Sequence, residues 1–501
     1  MKNKIIKILV GLQFILFPFL DMLRTTNFRK VEFMGISLIE LVNIIIIGLA
    51  LLLTLIKMLK KKKKYIFALG IYLILCFLYI WYHYQHIITF DTSIFKKASF
   101  NFLTETFYIC RVYILPLMLL FVLYNNRDIL DKKFYLKISK IVISIISFSI
   151  VVLDFFKISY ISYSASHNFV THNFIDYFLY SGDYKLLSAR GWFDSANELS
   201  AILIMLFPLN IYCLYKEQSK FNILMFACQF LAMILLGTRT AAFGSVIMCV
   251  VIFISYILFI LLKKEKYNLT FIKVFGIISV VCTSYMTISP FMFGRINDSN
   301  YDFSVQNESA YKEIDDIDNI DDNDEKLEAL FAKYSGEYLI NEAFLKMYPV
   351  NNDKEFWIKM AKRNRALNNN SRIMKTDILA RIKERNDNSL DSYYGMGYTL
   401  NFMDIERDYV YQYYLFGIFG LILFIFPYFG ALLMSLIRIL KKLTKYFRLS
   451  TVIFFMSPSL GLAIAYLSGH VFGWVSPMMF LVIALGLLNF FTSEGVVLNE
   501  E

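Results

Sequence analysis

Apolar residues fall in long runs separated by short polar breaks. The runs lie near 5–23, 34–56, 65–82, 105–124, 138–156 and 195–215, then 221–237, 240–262, 271–293, 409–433, 451–469 and 472–492. A helix needs about 20 apolar residues to cross the hydrocarbon of a bilayer, and each run is near that length. The pattern predicts an all-α, polytopic membrane bundle of about twelve transmembrane helices. The tightest breaks are Gly237-Thr238-Arg239 and Ser468-Gly469-His470.

Two polar segments are long. One runs from Lys157 to Asp194, the other from Gly294 to about Asp408. The second divides the chain into helices 1–9 (1–293), a large loop subdomain (294–408) and helices 10–12 (409–501). It opens acidic, around Glu313-Ile314-Asp315-Asp316-Ile317-Asp318. It then reads helical, with Leu327, Leu330 and Phe331 spaced for one face, and turns more basic from Lys354 to Arg385. We expect a small, mostly helical subdomain lying over the membrane. No internal repeat or low-complexity linker is visible.

Composition and charge agree with this pattern. Of the 501 residues, 57% are hydrophobic and 18% charged, and the mean hydropathy is +0.54. Soluble domains average about 45–50% apolar and about 25% charged, so a soluble enzyme, a disordered chain and a secreted disulfide scaffold are excluded. The net charge of +11 comes from clusters beside the apolar runs: Lys60 to Lys64, Lys263 to Lys266, and Arg438 to Arg448. With the N-terminus inside, these and the clusters 127–137 and 216–220 fall on alternate, cytoplasmic loops. Both termini are then cytoplasmic and the large loop extracytoplasmic. The basic excess reads as topology, not nucleic-acid binding. Lys2, Lys4 and Lys7 before an apolar run imitate a signal peptide, but no small-residue cleavage site follows, so the run reads as a retained span. Cys76, Cys110, Cys213, Cys228, Cys249 and Cys282 all lie in apolar runs without a CxxC spacing. External disulfides and a zinc site are not expected.

Charges within or beside spans mark candidate chemistry. Asp21, Glu105, Arg111, Asp154, Arg190, Arg239, Arg295, Glu406, Asp408 and His470 all map to the outer half or outer loops. Arg239, between two spans with small neighbours, can grip a phosphate bidentately or snorkel to the interface. Arg190 opens a polar, aromatic turn. In that turn Asp194 or Ser195 can cap the next helix, Trp192 can anchor at the interface or contact substrate, and Asn197 can bond between helices. Glu406 and Asp408 precede the tenth span. Either can serve as general base toward a sugar hydroxyl, Glu406 being preferred, and Asp408 can equally cap the helix. Arg111 suits a substrate contact or an ion pair with another span. His470, His167 and His172 show no ligand spacing and read as structural. The acidic run from Asp315 to Asp324 lacks a calcium-loop register. No nucleotide or metal motif occurs, so no cofactor is expected.

Several stretches resemble one family. Arg190-Gly191-Trp192-Phe193-Asp194-Ser195-Ala196-Asn197-Glu198-Leu199 is similar to the glycine, aromatic and asparagine turn of the O-antigen ligase and polymerase superfamily. Leu236-Gly237-Thr238-Arg239-Thr240-Ala241 resembles its Ser/Thr-Arg-Ser/Thr-Ala signature. Tyr393-Tyr394-Gly395-Met396-Gly397-Tyr398 resembles the glycine turn late in its large loop. Glu406-Arg407-Asp408, with Leu415-Phe416-Gly417-Ile418-Phe419-Gly420, resembles the loop exit and the span after it. The likeness covers about 190–430 in the family order.

The resemblance implies a C-class glycosyltransferase in the cytoplasmic membrane, working on the outer face without a metal. Its donor would be a polyprenyl-diphosphate-linked glycan and its acceptor a glycan hydroxyl. Its setting would be the lipid bilayer, with polysaccharide-assembly proteins as further partners. Arg239 and Arg190 match the family's arginines and would hold the diphosphate. Arg295, Arg111, Trp192 and Asn197 join them as substrate-binding candidates. The ligases' histidine-asparagine pair at the loop exit is replaced here by Glu406 and Asp408. This favours polymerase-like relatives making capsule or cell-wall polysaccharide. The competing reading is a flippase of lipid-linked oligosaccharide. Transporters often carry internal symmetry, which this chain lacks.

Overall fold

The computed structural model describes residues 2–26, 32–33, 36–59, 62–90, 101–164, 167–176, 187–289, 329, 331, 335, 339–398 and 405–493. Among the described residues the only paired strands are Glu32–Phe33 and Ile36–Ser37, two residues each and antiparallel. Everything else regular is helical. Among the described residues, eleven helices are long and apolar enough to cross a membrane. With the shorter apolar helix Lys220–Leu235 they match the predicted runs in order. In chain order they are α1 Lys2–Arg24, α2 Ile39–Met58, α3 Lys63–Ile87, α4 Phe102–Asn125, α5 Lys132–Phe155, α6 Ala196–Lys216, α7 Lys220–Leu235, α8 Arg239–Leu261, α9 Leu269–Ile288, α10 Asp408–Lys441, α11 Leu449–Leu467 and α12 Val475–Thr492. The chain is an all-α, multi-pass membrane protein. At 1.5 Å per residue, α7 is about 24 Å long, shorter than the roughly 30 Å of bilayer hydrocarbon.

The chain forms two compact units. Unit 1 comprises Met1–Ile71, Cys110–Gly294 and Phe424–Glu501. Helices α6 and α12 form its centre, each with 94% of its apolar window buried. Helix α6 packs against α5, α7, α8, α11 and α12. Its polar residues bond sideways, since lipid and apolar neighbours offer no partner. Asn210 Nδ2 donates to Gln229 Oε1 of α7 (2.6 Å), and Gln229 Nε2 donates back to the Leu203 carbonyl (2.9 Å). Ser457 Oγ of α11 donates to the Met205 carbonyl (2.6 Å). Helix starts follow local capping rules: Asp131, Ser195, Ser219, Thr238 and Asn268 each accept a backbone N–H of their own first turn.

Unit 2 comprises Tyr72–Ile109 and Arg295–Leu423. Its loop helices include Glu342–Met347, Lys354–Lys362 and Ser371–Asn386. They close over Tyr348, Phe356, Trp357, Met374 and Ile378, all buried. Trp357 Nε1 donates to the Tyr348 carbonyl (3.0 Å). Asp353 caps Lys354–Lys362 and is gripped by Arg381 Nε (2.7 Å) and by Tyr348 OH (2.7 Å). Burial pushes its pKa up, but these bonds outweigh it and hold the carboxyl below its ordinary 3.8. The acidic run from Glu313 to Asp324, with Leu327 and Leu330, lies outside the described residues.

The two late motifs interlock inside unit 2. Gly417 breaks helical geometry within α10 (φ 63°, ψ −171°). Three carbonyls before it find partners elsewhere. Tyr414 accepts from the Met396 N–H (2.7 Å), Leu415 from the Gly397 N–H (2.9 Å), and Phe416 from Tyr79 OH (2.7 Å). Gly395, at φ 78° and ψ −177°, lies against the Leu415 carbonyl. The predicted turn 393–398 thus docks on the predicted motif 415–420.

Candidate active site

Residues flanking the first motif bond to the second and to the helix end before it, all within unit 1. The N–H of Ala189 donates to the carbonyl of Leu235 at the end of α7 (2.7 Å). Tyr163 OH donates to the Gly237 carbonyl (2.8 Å), and Ser200 Oγ lies 2.6 Å from Thr238 Oγ1. Thr238 is the N-cap of α8, so Ser200 of α6 fixes where α8 begins. Arg239 is the first residue of that 23-residue helix. Its side chain is exposed and has no polar partner among the described residues. One turn before Ser200, Asn197 Nδ2 lies 3.1 Å from His470 Nε2, in the turn after α11. Gly469 and His470 both take positive φ there, 69° and 65°. Helices α6, α8 and α11 pack on one another. Asn197, Ser200, Arg239 and His470 therefore stand at one end of a single three-helix cluster.

Arg190 is buried, and its guanidinium donates to the carbonyls of Ser162 (3.0 Å) and Ser164 (3.1 Å). Burial pulls its pKa below the usual value, against the opposing charge of Asp194. Its bonds hold the segment before α6 in shape. Trp192 is exposed but fixed, with Nε1 donating to the Ile158 carbonyl (2.7 Å). Ser195, not Asp194, caps α6. Arg111 sits in a π-helical turn, Cys110–Ile114, and pairs with Glu40 of α2. Arg295 lies outside the described residues.

Glu406 and Asp408 belong to unit 2. Glu406 Oε2 accepts from Arg372 Nη2 (2.6 Å) and Nε (3.1 Å), with both side chains about one-third exposed. Asp408 is buried in the first turn of α10, where Arg407 occupies the cap position.

Two further clusters join Asp21 and Glu105, named from the sequence only singly, to partners that sequence reading did not assign. In unit 1, Arg24 Nη1 lies 3.4 Å from Asp21 and 3.6 Å from Glu198, a carboxylate accepting no hydrogen bond among the described residues. Asp21 also accepts the Asp194 N–H (3.1 Å), which ties α1 to the turn before α6. In unit 2, two histidines at the end of α3 hold the late loop. His83 Nδ1 lies 2.7 Å from the Tyr394 carbonyl, and its Nε2 lies 3.0 Å from Glu105 Oε1. Glu105 also accepts the Tyr398 N–H (2.7 Å). His86 Nε2 lies 2.7 Å from Asp391 Oδ1. The signal was Tyr82-His83-Tyr84-Gln85-His86: two histidines three apart, on one helix face. The apolar run was ended at residue 82, whereas the helix continues to Ile87. Glu198 was hidden because its partner, Arg24, is 174 positions away in sequence.

The structure defines a multi-pass helical membrane protein with an exposed arginine at the start of one span. The chain belongs to the O-antigen ligase like membrane protein family, which it matches over residues 2–491. Membership places it among membrane glycan ligases and polymerases, acting on a lipid-linked glycan and an acceptor in the bilayer. No curated protein and no solved structure matches it.

Proposed function

We propose that this protein is a glycosyltransferase of the cytoplasmic membrane. It draws glycan from a polyprenyl-diphosphate carrier on the outer face and transfers it to a sugar hydroxyl, lengthening or attaching a surface polysaccharide of the capsule or cell wall. The observation that carries the reading is Arg239. A guanidinium exposed at the start of a 23-residue helix adds its full charge to the positive end of the helix dipole. That combination favours a diphosphate, and it stabilises the charge that develops as the lipid diphosphate departs. Small residues follow, Ala241, Ala242 and Gly244, so the helix start is not crowded by its own side chains. The attacking hydroxyl also needs a proton acceptor. Glu406 and Asp408 are the carboxylates proposed for this from their sequence position. Their readout is separate from that of Arg239.

The test is deletion of the gene in its native host, complemented by wild type or Arg239→Ala. Surface polysaccharide and lipid-linked glycans are compared by gel and mass spectrometry. Single repeat units accumulating outside on lipid, with long chains missing, identify a polymerase. Long chains left on lipid identify a ligase. Arg239→Ala is expected to accumulate in the membrane yet reproduce the deletion. Normal polysaccharide from a well-expressed Arg239→Ala, or units trapped on the inner leaflet, would overturn the reading, the latter in favour of a flippase.

A further inference from the structure

Three helices run from one unit into the other. The chain passes between the units within α3 at Ile71–Tyr72, within α4 at Ile109–Cys110 and within α10 at Leu423–Phe424. At two of these crossings the α-helix gives way to a single π-helical turn, Cys110–Ile114 in α4 and Leu421–Ile425 in α10. Turns of this kind recur at functional points within helices, and sharp helix bends form at them.

Both turns have the same cause. A proline, Pro116 or Pro427, stands two residues after each turn ends. Proline has no N–H for the carbonyl four residues before it, and its ring crowds that carbonyl. The carbonyls concerned belong to Val112 and Leu423, each the third residue of its π turn. Within unit 2, the Leu423 carbonyl accepts from Tyr72 OH (3.2 Å), and Tyr72 is the first unit 2 residue of α3. Within unit 1, Tyr113 and Phe424 stack with ring centroids 5.2 Å apart. Each of these rings stands three residues before its proline. Leu423 and Phe424 are consecutive, so the three crossings are neighbours. The crossing in α3 has its own weak point in Gly70, since glycine loosens a helix interior.

We propose that these three points form one hinge, on which unit 2 swings as a body relative to unit 1 while each unit keeps its own packing. The two π turns are the pivots, and the Tyr113–Phe424 stack couples them. Tyr72 OH keeps the Leu423 carbonyl satisfied, as a hydrocarbon environment demands. The Ile87 end of α3 lies about 22 Å along the helix from Tyr72. A bend of about 20°, the size such sites produce, therefore displaces that end by about 8 Å. Hinged movement of one unit is a common way for a protein to open and close around a ligand. The hinge is independent of the transferase reading and stands or falls apart from it.

The experiment is single-molecule energy transfer on the full-length protein in lipid nanodiscs. Dyes are placed at Lys264 and Asp387, one exposed residue in each unit. Control pairs, Lys220 with Lys264 and Lys346 with Asp387, each lie within one unit and are also exposed. The between-unit pair should show at least two interconverting distances, and each control pair one. Pro116→Ala combined with Pro427→Ala returns both missing N–H groups and should merge the between-unit distances into one. Gly70→Ala places a methyl where nothing lies within 4 Å and stiffens α3. It should shift the populations in the same direction, and it decides the matter if the proline variants fail to accumulate. A single between-unit distance in the wild-type protein, as narrow as the controls, would overturn the proposal. So would a between-unit spread that survives these substitutions unchanged. Controls that spread as widely as the between-unit pair would also overturn it, because the motion would then lie inside the units.

Discussion

Replacing Gly395 with alanine tests how the late loop is fastened to α10. Gly395 lies at φ 78°, ψ −177°, a region open essentially to glycine alone, where a side chain costs about 1–3 kcal/mol. A Cβ there would stand 2.3 Å from the Leu415 carbonyl oxygen and 2.4 Å from the Phe416 nitrogen. Those atoms are backbone and cannot turn aside, so the segments must separate by about 1 Å to reach ordinary contact. Separation stretches the bonds from Met396 N–H to Tyr414 (2.7 Å) and from Gly397 N–H to Leu415 (2.9 Å). Each is worth about 0.5–1.5 kcal/mol. Strain and lost bonds together give about 2–6 kcal/mol, concentrated in unit 2. Gly417 faces the same contact from the other side: a Cβ there would lie 2.3 Å from the Tyr393 carbonyl carbon. Once one alanine has parted the segments, the second should cost less than it does alone. The assay is a thermal scan of detergent-solubilised protein followed by size exclusion, with limited proteolysis of the loop, on both single variants and the double. Each single should lower the midpoint and expose the loop to protease, and the double should be clearly less than additive. A wild-type midpoint and protease pattern in Gly395→Ala would refute the argument, and strict additivity would refute the shared contact.

Two other outcomes follow from the geometry. Thr238→Val removes both the α8 cap and the bond to Ser200, so it should cost about 0.5–2 kcal/mol in the same thermal assay and reduce transfer by displacing Arg239. Unchanged activity would show that Arg239 needs no fixed helix start. Asp353 is held below its ordinary pKa, so its contribution is fully present above about 4 and is lost as pH falls through the lower, folded value. Protease resistance of the loop helices should therefore be flat from neutral pH down to the carboxylate range and fall only below it. Asp353→Asn should flatten that acid decline, and an unaltered decline would exclude Asp353 as its source.

Much of the fold was legible because lipid imposes a simple rule. A backbone in hydrocarbon must bond to itself, so apolar runs of bilayer length become helices whatever their detailed sequence. That rule placed the twelve apolar helices of the described residues in order, and the cap rule narrowed the start of α6 to Asp194 or Ser195, of which Ser195 is the cap. The candidate site was legible only in part. Short motifs marked Arg190, Asn197, Arg239 and the glycines near 395 and 417, but not what each touches. Arg190 turned out to bond the Ser162 and Ser164 carbonyls, and Arg111 to pair with Glu40. The type of a residue says that it carries charge. Only its neighbours say whether that charge is already neutralised.

By itself, then, the sequence determined what depends on one segment at a time: the order of the apolar helices and the family. Tertiary structure decided what depends on residues far apart in the chain. It joined the residues flanking 190–199, Ala189 and Ser200, to Leu235 and Thr238, and docked 393–398 on the segment around 415. It set Asn197 against His470, joined Arg24 to Glu198, and aligned His86 with Asp391 across 305 positions. The reason is physical. Hydrophobic burial is non-directional and can be read as a pattern, whereas a hydrogen bond or ion pair exists only within a few tenths of an ångström of one geometry, which the packing of distant helices supplies.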